Sequence, residues 1–278
     1  MQGLRQTISI AGEKRPAPVW IIGPDVIEDE KSTLEMAHDL AELARARGLT
    51  LVFKASYEKA NRTSVKSYRG PGLTSGLKTL ARVREETGLW VLSDVHSVSQ
   101  VDAAQEVLDV LQIPAFLCRQ NDLLESAAAT GKVVNLKKGQ FLSPWDVTHR
   151  VAACQGAGDI WITERGASFG YQRLVNDFRV VPLTQKTGAA CIFDATHSVQ
   201  TPSAAGGSSG GERQFIPVLA RAAAAAGADG FFLEVHPEPE RALCDGPNAV
   251  PLERLPALLD QLLPLTQLVR DLPDAEFT

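Results

Sequence analysis

The feature that most constrains the fold is a regular alternation of short apolar runs with longer segments of helical periodicity. The chain has eight apolar runs of strand length: Pro18 to Gly23, Leu49 to Lys54, Leu89 to Ser93, Val110 to Ile113, Val133 to Lys137, Ile160 to Thr163, Cys191 to Phe193 and Phe231 to Leu233. The segments between them carry apolar residues at helical spacing, most clearly in 32–47. This alternation is typical of parallel strands connected by helices.

Eight strand–helix units favour a closed (β/α)₈ barrel, a TIM barrel of class α/β, over an open sheet, since such barrels commonly use about 250 residues. The predicted helical segments are Ser32 to Arg47, Leu73 to Thr87, Val98 to Val107, Leu123 to Thr130, Pro144 to Gly156, Gly170 to Val180, Arg213 to Gly227, and Pro251 to Leu272 as a helix pair or one broken helix. We therefore predict a single domain over 1–278. Residues 1–17 are predicted to form a hairpin-like extension that caps the bottom of the barrel.

Composition and charge exclude several classes of protein. The net charge of −5 argues against a nucleic-acid-binding surface and against attraction to anionic membranes. No stretch approaches the roughly 20 apolar residues of a membrane span, and the N-terminus has no apolar run of signal-peptide length. We therefore expect a cytoplasmic protein. Its four cysteines lack CxxC spacing, which favours reduced thiols over disulfides or a zinc knuckle.

A basic loop follows the second apolar run. Three cations, Lys54, Lys59 and Arg62, are interleaved there with hydroxyl and amide side chains over residues 53–64. Arg binds phosphate oxygens through two parallel hydrogen bonds and Lys acts as a movable point charge, so the loop suits an anionic, hydroxylated ligand. A solvated basic loop is an equally good interpretation of these residue types alone.

The predicted strands share a second feature, since each ends in a polar or ionisable side chain. These residues are Asp25, Lys54, Asp94, Gln112, Lys137, Arg165, His197 and Glu234. Each of them alone also has a structural interpretation, such as a helix cap or a paired surface charge. In a (β/α)₈ barrel, however, the carboxyl ends of all strands meet at one rim, where active sites are built. The set as a whole therefore predicts an active site at that rim.

Motifs along nearly the whole chain carry a resemblance to one family. They are FKASYEKANRTS (53–64), SYRGPGL (67–73), SDVH (93–96), QIPAFLCRQNDL (112–123), NLKKGQF (135–141), TERGASFGY (163–171), FDATHSVQ (193–200), SGG (209–211) and EVHPEP (234–239). In these motifs the chain resembles the 3-deoxy-manno-octulosonate 8-phosphate synthase family. These enzymes condense phosphoenolpyruvate with arabinose 5-phosphate for lipopolysaccharide synthesis. The related 3-deoxy-arabino-heptulosonate 7-phosphate synthases usually have a shorter KPRTS in place of KANRTS.

The resemblance implies roles for individual residues. The implied phosphoenolpyruvate-binding residues are Lys54, Ser56, Gln112, Lys137 and Arg165, with Lys138 as the alternative to Lys137 because strand alternation turns only one of the two inward. The implied sugar-phosphate-binding residues are Lys59, Asn61, Arg62, Thr63 and Arg119. The residue matching Arg119 reaches the sugar phosphate of a neighbouring subunit in this family, which implies a homotetramer.

The implied reaction also needs proton carriers. The aldehyde oxygen gains negative charge as the carbon–carbon bond forms, and the attacking water must be positioned or deprotonated. The catalytic candidates are His197, Asp94, Glu234, Asp245 and Lys54. A buried histidine with only a structural role is the alternative for His197.

The metal requirement is where the chain departs from its family. Metal-dependent members have a Cys after the first strand and metal-independent members an Asn, whereas this chain has Asp25; His197, Glu234 and Asp245 match the other three ligands. Without a thiolate the set favours Mn²⁺ or Fe²⁺ over Zn²⁺. We expect metal binding, because three neighbouring carboxylates without a cation would repel one another and raise their pKa values. Metal-independent operation stays open, since CDGPN (244–248) resembles the metal-free members.

Three further interpretations are open at this point. The heptulosonate synthase reaction with erythrose 4-phosphate is disfavoured by the longer loop. A Schiff-base aldolase would use Lys54 or Lys137 as the nucleophile. A non-catalytic barrel would bind sugar phosphate without releasing phosphate.

The glycine-rich stretch 206–211 is predicted to act as a lid over the substrates, with an ordinary mobile loop as the alternative.

Overall fold

The computed structural model describes residues 4–60, 67–168, 170, 173–201 and 210–273. Its strands are β1 Thr7–Ile10, β2 Glu13–Pro16, β3 Val19–Gly23, β4 Thr50–Lys54, β5 Trp90–Asp94, β6 Val110–Ile113, β7 Val133–Lys137, β8 Asp159–Glu164, β9 Ala190–Asp194, β10 Gln200–Thr201, β11 Gly210–Gly211, β12 Gly230–His236 and β13 Val250–Pro251. Its α-helices are α1 Glu30–Arg47, α2 Leu73–Thr87, α3 Val98–Gln105, α4 Asn121–Ala129, α5 Val147–Ala153, α6 Val180–Gln185, α7 Ile216–Ala225 and α8 Leu255–Asp271.

Eight of these strands form a closed parallel barrel. The order along the sheet is β12-β3-β4-β5-β6-β7-β8-β9, with β13 added beside β12. The barrel closes because β12 pairs with both β3 and β9; Gly230 lies opposite Val19 on one side and Ile192 on the other. Helices connect successive strands on the outside. The predicted (β/α)₈ barrel is confirmed.

The interior of the barrel is apolar in its lower part, toward the amino ends of the strands, and polar in its upper part, toward their carboxyl ends. Inward side chains of the lower part form one cluster: Val19, Ile21, Val52, Leu92, Val110, Val133, Trp161, Ala190, Ile192 and Phe232. Side chains alternate along a strand, so the residue two positions further on also points inward. That residue is Lys54 after Val52, Asp94 after Leu92, and Glu234 after Phe232. The same alternation places the polar side chains of the other strands at the rim.

The N-terminal hairpin closes the lower end of the barrel. Strands β1 and β2 pair antiparallel, and the buried side chains of Ile8 and Ile10 belong to the interior apolar cluster. Arg5 adds an ion pair of 2.8 Å to Asp159, at the start of β8. The hairpin therefore supplies an apolar floor for the barrel.

The outer helices bury one face against the sheet. Helix α1 illustrates the local rules: the carboxylate of Asp29 accepts a hydrogen bond of 2.9 Å from the backbone N–H of Ser32, and Gly48 ends the helix in the left-handed conformation. Apolar positions between these caps, such as Leu40, are buried. Within the described residues, no helix is long and apolar enough to cross a membrane.

Two predicted elements were wrong. The segment Gly170 to Val180 is not a helix in its described part, because Val175 pairs with Ala167 through two backbone hydrogen bonds of 2.9 Å and α6 begins only at Val180. The C-terminal segment is neither a pair nor a broken helix. Helix α8 runs continuously through Pro264, whose exposed position leaves the freed carbonyl group of the preceding turn open to water.

Candidate active site

A cavity of about 830 Å³ opens at the carboxyl ends of the barrel strands. All eight predicted strand-end residues line it: Lys54, Asp94, Gln112, Lys137 and Glu234 from within the strands, and Asp25, Arg165 and His197 from the loops after β3, β8 and β9. The structure therefore brings all eight together. This convergence follows from the parallel topology, which puts every strand's end on the same rim.

Two buried cations lie at the carboxyl ends of adjacent strands: Lys137 ends β7 and Arg165 directly follows β8. The ammonium of Lys137 donates a hydrogen bond of 2.5 Å to Asp194 and lies 3.3 Å from the centre of the Phe232 ring. The guanidinium of Arg165 donates to the amide oxygens of Gln200 and Gln140, at 2.7 and 3.3 Å. Burial lowers the pKa of both cations. Because neutral amides hold Arg165, its charge stays available to an anionic ligand.

Lys137 and Lys138 point to opposite sides of the barrel wall. Lys137 faces the cavity, whereas Lys138 is buried outside the wall and its ammonium lies 3.4 Å from the carboxylate of Glu164. The structure thus places Lys137, the residue that we preferred from the sequence, in the cavity.

Lys54, the last residue of β4, contacts β12 and the loop after β3. Its ammonium donates 2.7 Å to Glu234 Oε1 and 2.6 Å to the backbone carbonyl of Asp25. Burial works against the charge of Lys54, but the carboxylates of Glu234, Asp25 and Asp94 outweigh it and raise the lysine pKa. Lys54 therefore stays protonated and bound to its carboxylate and carbonyl partners, which makes it a poor nucleophile.

Asp194 at the end of β9 is a site residue that the sequence analysis missed. Its carboxylate accepts hydrogen bonds of 2.8 Å from Nδ1 of His197 and of 2.5 Å from Lys137. The side chain is fully buried, and burial is outweighed by the charges of His197 and Lys137, so the pKa of Asp194 is lowered. An ionised Asp194 keeps the proton of His197 on Nδ1 and turns Nε2 toward the other carboxylates.

Four side chains form a cluster with the composition of a metal site. One ligand atom from each of Asp25, His197, Glu234 and Asp245 lies within 4.8 Å of the others. His197 Nε2 is 3.6 Å from Glu234 Oε2 and 3.9 Å from Asp245 Oδ2. Asp245 has a backbone φ of 47°, in the left-handed region that Asp tolerates better than most residues.

These residues fit a divalent cation. Oδ2 of Asp25 is buried and has no hydrogen-bond partner among the described residues, and a buried carboxylate oxygen normally has one. Three carboxylates and one imidazole form a donor set suited to Mn²⁺ or Fe²⁺. The residues predicted as metal ligands are thus gathered in one place with one oxygen unused.

The predicted rise in carboxylate pKa was wrong for Glu234. We expected mutual repulsion to raise the pKa values of these carboxylates. Burial does act in that direction for Glu234, but the charges of His197, Lys54 and Lys59 outweigh it and lower the Glu234 pKa to about 2. The ammonium groups of Lys54 and Lys59 reach between the carboxylates, which the sequence did not reveal.

Asp94 belongs to a separate chain of polar side chains inside the barrel. Its two oxygens accept hydrogen bonds from Gln112 at 2.6 Å and from Ser56 at 2.5 Å. Gln112 in turn accepts from Asn135, whose amide oxygen accepts from Thr163. Ser56 and Gln112 are therefore committed to Asp94, and they set the position of this carboxylate.

The predicted sugar-phosphate side is described only in part. Asn61, Arg62 and Thr63 lie outside the described residues, as do residues 206–209 of the predicted lid, 206–211. Lys59 is described: its ammonium lies 2.5 Å from Asp25 Oδ1 and 3.5 Å from Asp245 Oδ2. Arg119 is exposed on the loop after β6 and does not line the cavity of its own chain.

Together, the closed barrel and its rim of buried cations and carboxylates define a (β/α)₈ enzyme that acts on anionic substrates. Comparison with known proteins gives the family. Residues 4–270 match the model of the DAHP synthetase I family. The chain belongs to this family and, within it, groups with the 2-dehydro-3-deoxyphosphooctonate aldolases.

Three similar proteins of that name cover almost the whole chain. The protein from Geobacter metallireducens is 57% identical over 261 residues, which are 93% of this chain and 96% of the relative. That from Nitratidesulfovibrio vulgaris strain Hildenborough is 58% identical over 250 residues, 89% of this chain and 92% of the relative. That from Geobacter sp. strain M21 is 55% identical over 273 residues, 96% of this chain and 99% of the relative.

Proposed function

We propose that the protein condenses phosphoenolpyruvate with D-arabinose 5-phosphate and water, giving 3-deoxy-D-manno-octulosonate 8-phosphate and inorganic phosphate. The observation that carries the proposal is the single cavity that holds both the cation pair Lys137 and Arg165 and the cluster around His197. The chain is also 55% identical over 273 residues to a relative named for this product.

Phosphoenolpyruvate fits the buried end of the cavity. Its phosphate and carboxylate need two cationic groups, and Lys137 and Arg165 lie at the ends of neighbouring strands and line the cavity. Lys54 adds positive charge beside them and keeps Glu234 in place through its 2.7 Å contact. Ser56 and Gln112 act on this site through Asp94, to which both donate.

The reaction breaks the C–O bond of phosphoenolpyruvate. Its vinyl carbon bonds to the aldehyde carbon, the aldehyde oxygen takes a proton, and water adds to the former enol carbon and loses a proton; the resulting hemiketal phosphate then expels phosphate. The ionised carboxylates of Asp94 and Glu234 accept hydrogen bonds and can orient the water. When no ion is bound, His197, which Asp194 holds through Nδ1, can hold or release a proton at Nε2.

A divalent ion would be held by Asp25, His197, Glu234 and Asp245. When bound, it would supply a Lewis acid that polarises the aldehyde oxygen. Lys54 would keep the Glu234 carboxylate in place, and Asp194 would keep His197 Nε2 directed at the ion. We propose Mn²⁺ or Fe²⁺ as the ion.

The sugar phosphate is assigned to Lys59, Asn61, Arg62 and Thr63, and to Arg119 of a neighbouring subunit in a homotetramer. Arg119 is exposed, and large apolar side chains on the same and the next loop, Phe116, Phe141 and Trp145, are each more than half exposed. Exposed apolar side chains on neighbouring loops are consistent with a subunit interface, although Phe116 also lines the cavity. Light scattering in solution tests for the tetramer.

Substitution of Arg62 by Ala tests the assignment of the basic loop. The role proposed for Arg62 is a bidentate phosphate contact, so we expect KM for arabinose 5-phosphate to rise by roughly tenfold or more in the variant while KM for phosphoenolpyruvate changes little. Steady-state kinetics with each substrate varied in turn measure both constants. Unchanged kinetics would show that the loop does not bind the sugar phosphate.

The reaction itself is tested by release of inorganic phosphate from phosphoenolpyruvate. We expect release with arabinose 5-phosphate and none with erythrose 4-phosphate; the reverse result would assign the heptulosonate reaction instead. Each assay is run with a chelator and with added Mn²⁺, and loss of activity with the chelator supports the metal. The cytoplasmic location stays a prediction.

The Schiff-base alternative has one supporting observation, the lowered pKa of Lys137, which increases the share of neutral amine. The ion pair with Asp194 opposes it by keeping the amine protonated. Borohydride treatment in the presence of substrate distinguishes the two mechanisms, because only an imine would be trapped as a stable adduct detectable by mass spectrometry.

A further inference from the structure

Lys59 occupies an unusual place in the site, because it contacts the same carboxylates that would hold a metal. Its ammonium is 2.5 Å from Asp25 Oδ1 and 3.5 Å from Asp245 Oδ2. These carboxylates, with that of Glu234, outweigh the effect of burial and raise the pKa of Lys59 well above its usual value. Lys59 therefore brings a full positive charge to the edge of the cluster.

The two lysines of the cluster are held differently. The ammonium of Lys54 is anchored by the backbone carbonyls of Asp25 and Pro24, at 2.6 and 3.4 Å, besides its contact with Glu234. The ammonium of Lys59 contacts the carboxylates of Asp25 and Asp245. The backbone of Lys59 is held separately, because its N–H donates a hydrogen bond of 2.8 Å to the carbonyl of Arg69. A lysine stem has four rotatable carbons, so this ammonium can move while its backbone stays in place.

The position of Lys59 connects two sites. Its side chain lines the cavity that we assign to the anionic substrates, and its ammonium lies against two of the four proposed metal ligands. A divalent cation next to Asp25 would be repelled by the ammonium, whereas a phosphate group in the cavity would attract it. The metal and the ammonium thus compete for Asp25 and Asp245.

We propose that Lys59 is a movable counter-cation that couples the binding of phosphate ligands to the binding of the divalent ion. Without an anionic ligand, Lys59 neutralises Asp25 and Asp245 and weakens metal binding. With a phosphate group in the cavity, the ammonium moves to the phosphate and leaves the carboxylates to the metal. The inference rests on the proposed function, because it assigns the phosphate ligand to the same cavity.

Linkage makes the coupling reciprocal. If phosphate ligands raise the affinity for the ion, the ion raises the affinity for phosphate ligands by the same factor, and such factors are usually about 5- to 150-fold. The consequence is that a metal and a sugar phosphate bind together more readily than either binds alone. Lys59 is then the residue on which this cooperation depends.

The test measures Mn²⁺ binding by the electron paramagnetic resonance signal of the free ion, with no turnover required. Wild type is titrated alone, with inorganic phosphate and with arabinose 5-phosphate. We expect the affinity for Mn²⁺ to rise by about 5- to 150-fold with arabinose 5-phosphate, and in the same direction with inorganic phosphate. The variants Lys59→Met and Lys59→Gln, which lack the charge, should bind Mn²⁺ tightly without any ligand and gain little when one is added.

A matched control is Lys78→Met, which removes one charge from an exposed position on α2, outside the cavity; it should behave like wild type. The proposal is overturned if the Lys59 variants bind Mn²⁺ no more tightly than wild type, if they retain the full effect of the ligand, or if wild type binds no Mn²⁺. Failure of the proposed function gives a different result, namely no phosphate release from phosphoenolpyruvate whatever the Mn²⁺ affinities.

Discussion

Asp194 controls two side chains with different tasks. One oxygen accepts hydrogen bonds from both Lys137 and His197 Nδ1, and the other accepts from the backbone N–H of His197. The same carboxylate thus keeps Lys137 charged and keeps the imidazole in one orientation. Because Asp194 lines neither the predicted metal cluster nor the described cavity, it acts through these two residues as a positioning residue.

Substitution of Asp194 by Asn should lower activity strongly. The amide cannot serve both neighbours as the carboxylate does, so we expect kcat/KM to fall by about 10- to 100-fold, the usual effect of losing a carboxylate that orients a site histidine. A pH–rate profile should also change shape, because the electrostatic support of His197 is lost. Asp177→Asn, which affects a surface pair with Arg179, is the matched control and should leave both the rate and the profile unchanged.

The ionisation of Asp94 should contribute to stability at low pH. Burial alone would raise its pKa, but Lys54, His96, Ser56 and Gln112 together lower it from 3.8 to about 2. A lowered carboxyl pKa stabilises the fold above pH 3.8, and this contribution is lost as the pH falls toward 2. The shift corresponds to roughly 2 kcal/mol.

Urea unfolding of wild type and Asp94→Asn at pH 7, 4 and 3 measures this contribution. The wild type should be more stable than the variant at pH 7, and the difference in free energy of unfolding should shrink below pH 3.8. A difference that is constant over this range would mean that Asp94 has an ordinary pKa.

At the residue scale, the sequence predicted which side chains meet but not how they pair. The eight predicted rim residues could be located from the ends of the apolar runs. Asp194 was missed because the more conspicuous His197 follows the same run, CIF; alternation from the inward Ile192 would have indicated it. The pairing of Lys54 with Glu234 joins residues 180 positions apart, which no local pattern reveals.

The ends of strands β7 and β8 carry charged side chains on both sides of the barrel wall. Lys137 and Arg165 face the cavity, while Lys138 and Glu164, their neighbours in sequence, are buried outside the wall with 3.4 Å between their charged groups. Lys138 also donates 2.9 Å to the carbonyl of Leu142, and Glu164 accepts from the N–H of Gly166. This outer pair ties the ends of the two strands that carry the cations.

Removal of one member of that pair should be more harmful than removal of both. Lys138→Met leaves Glu164 buried without its partner, and burial already raises the pKa of this carboxyl; we expect a loss of about 3–5 kcal/mol in free energy of unfolding. The double variant Lys138→Met with Glu164→Gln should recover much of the loss. A double-mutant cycle in urea measures the coupling, and additive losses would contradict a buried ion pair.

At the element scale, apolar patterning was a reliable guide where strands and helices are buried on regular faces. The predicted strands Val110–Ile113 and Val133–Lys137 and the helix Leu73–Thr87 have the observed bounds. Residues 173–179 were mispredicted because their structure depends on the bridge between Ala167 and Val175, a contact outside the segment's own periodicity. Helix α8 passes through Pro264 because tertiary packing of residues such as Leu259 and Leu262 outweighs one lost hydrogen bond.

For the whole molecule, the N-terminal hairpin is part of the core rather than an appendage. Ile10 is fully buried in the cluster that fills the lower barrel. Ile10→Ala should therefore lower the free energy of unfolding by about 2–5 kcal/mol, as measured in urea. Lys14→Ala on the exposed strand β2 is the control and should change stability by less than about 0.5 kcal/mol. If Ile10→Ala left the free energy of unfolding unchanged, the barrel would not depend on the hairpin for its stability.

The closed barrel could be predicted from the number and order of apolar runs, because eight parallel strands of this length close with few alternatives. The assembly could not be predicted from patterning, since the exposure of Phe116 and Trp145 appears only once the loops are placed. Resemblance alone implied a homotetramer, and the oligomeric state stays a prediction.

The two-layered interior has a consequence for how such a protein can change over evolutionary time. The apolar layer around Phe232 and the hairpin carries much of the barrel's inner packing, while the chemistry belongs to the side chains two positions further along each strand. Replacement of an upper side chain alters what the site does and leaves the lower packing intact. Descendants or engineered variants can therefore acquire a new specificity from a few substitutions, in a scaffold that need not be rebuilt.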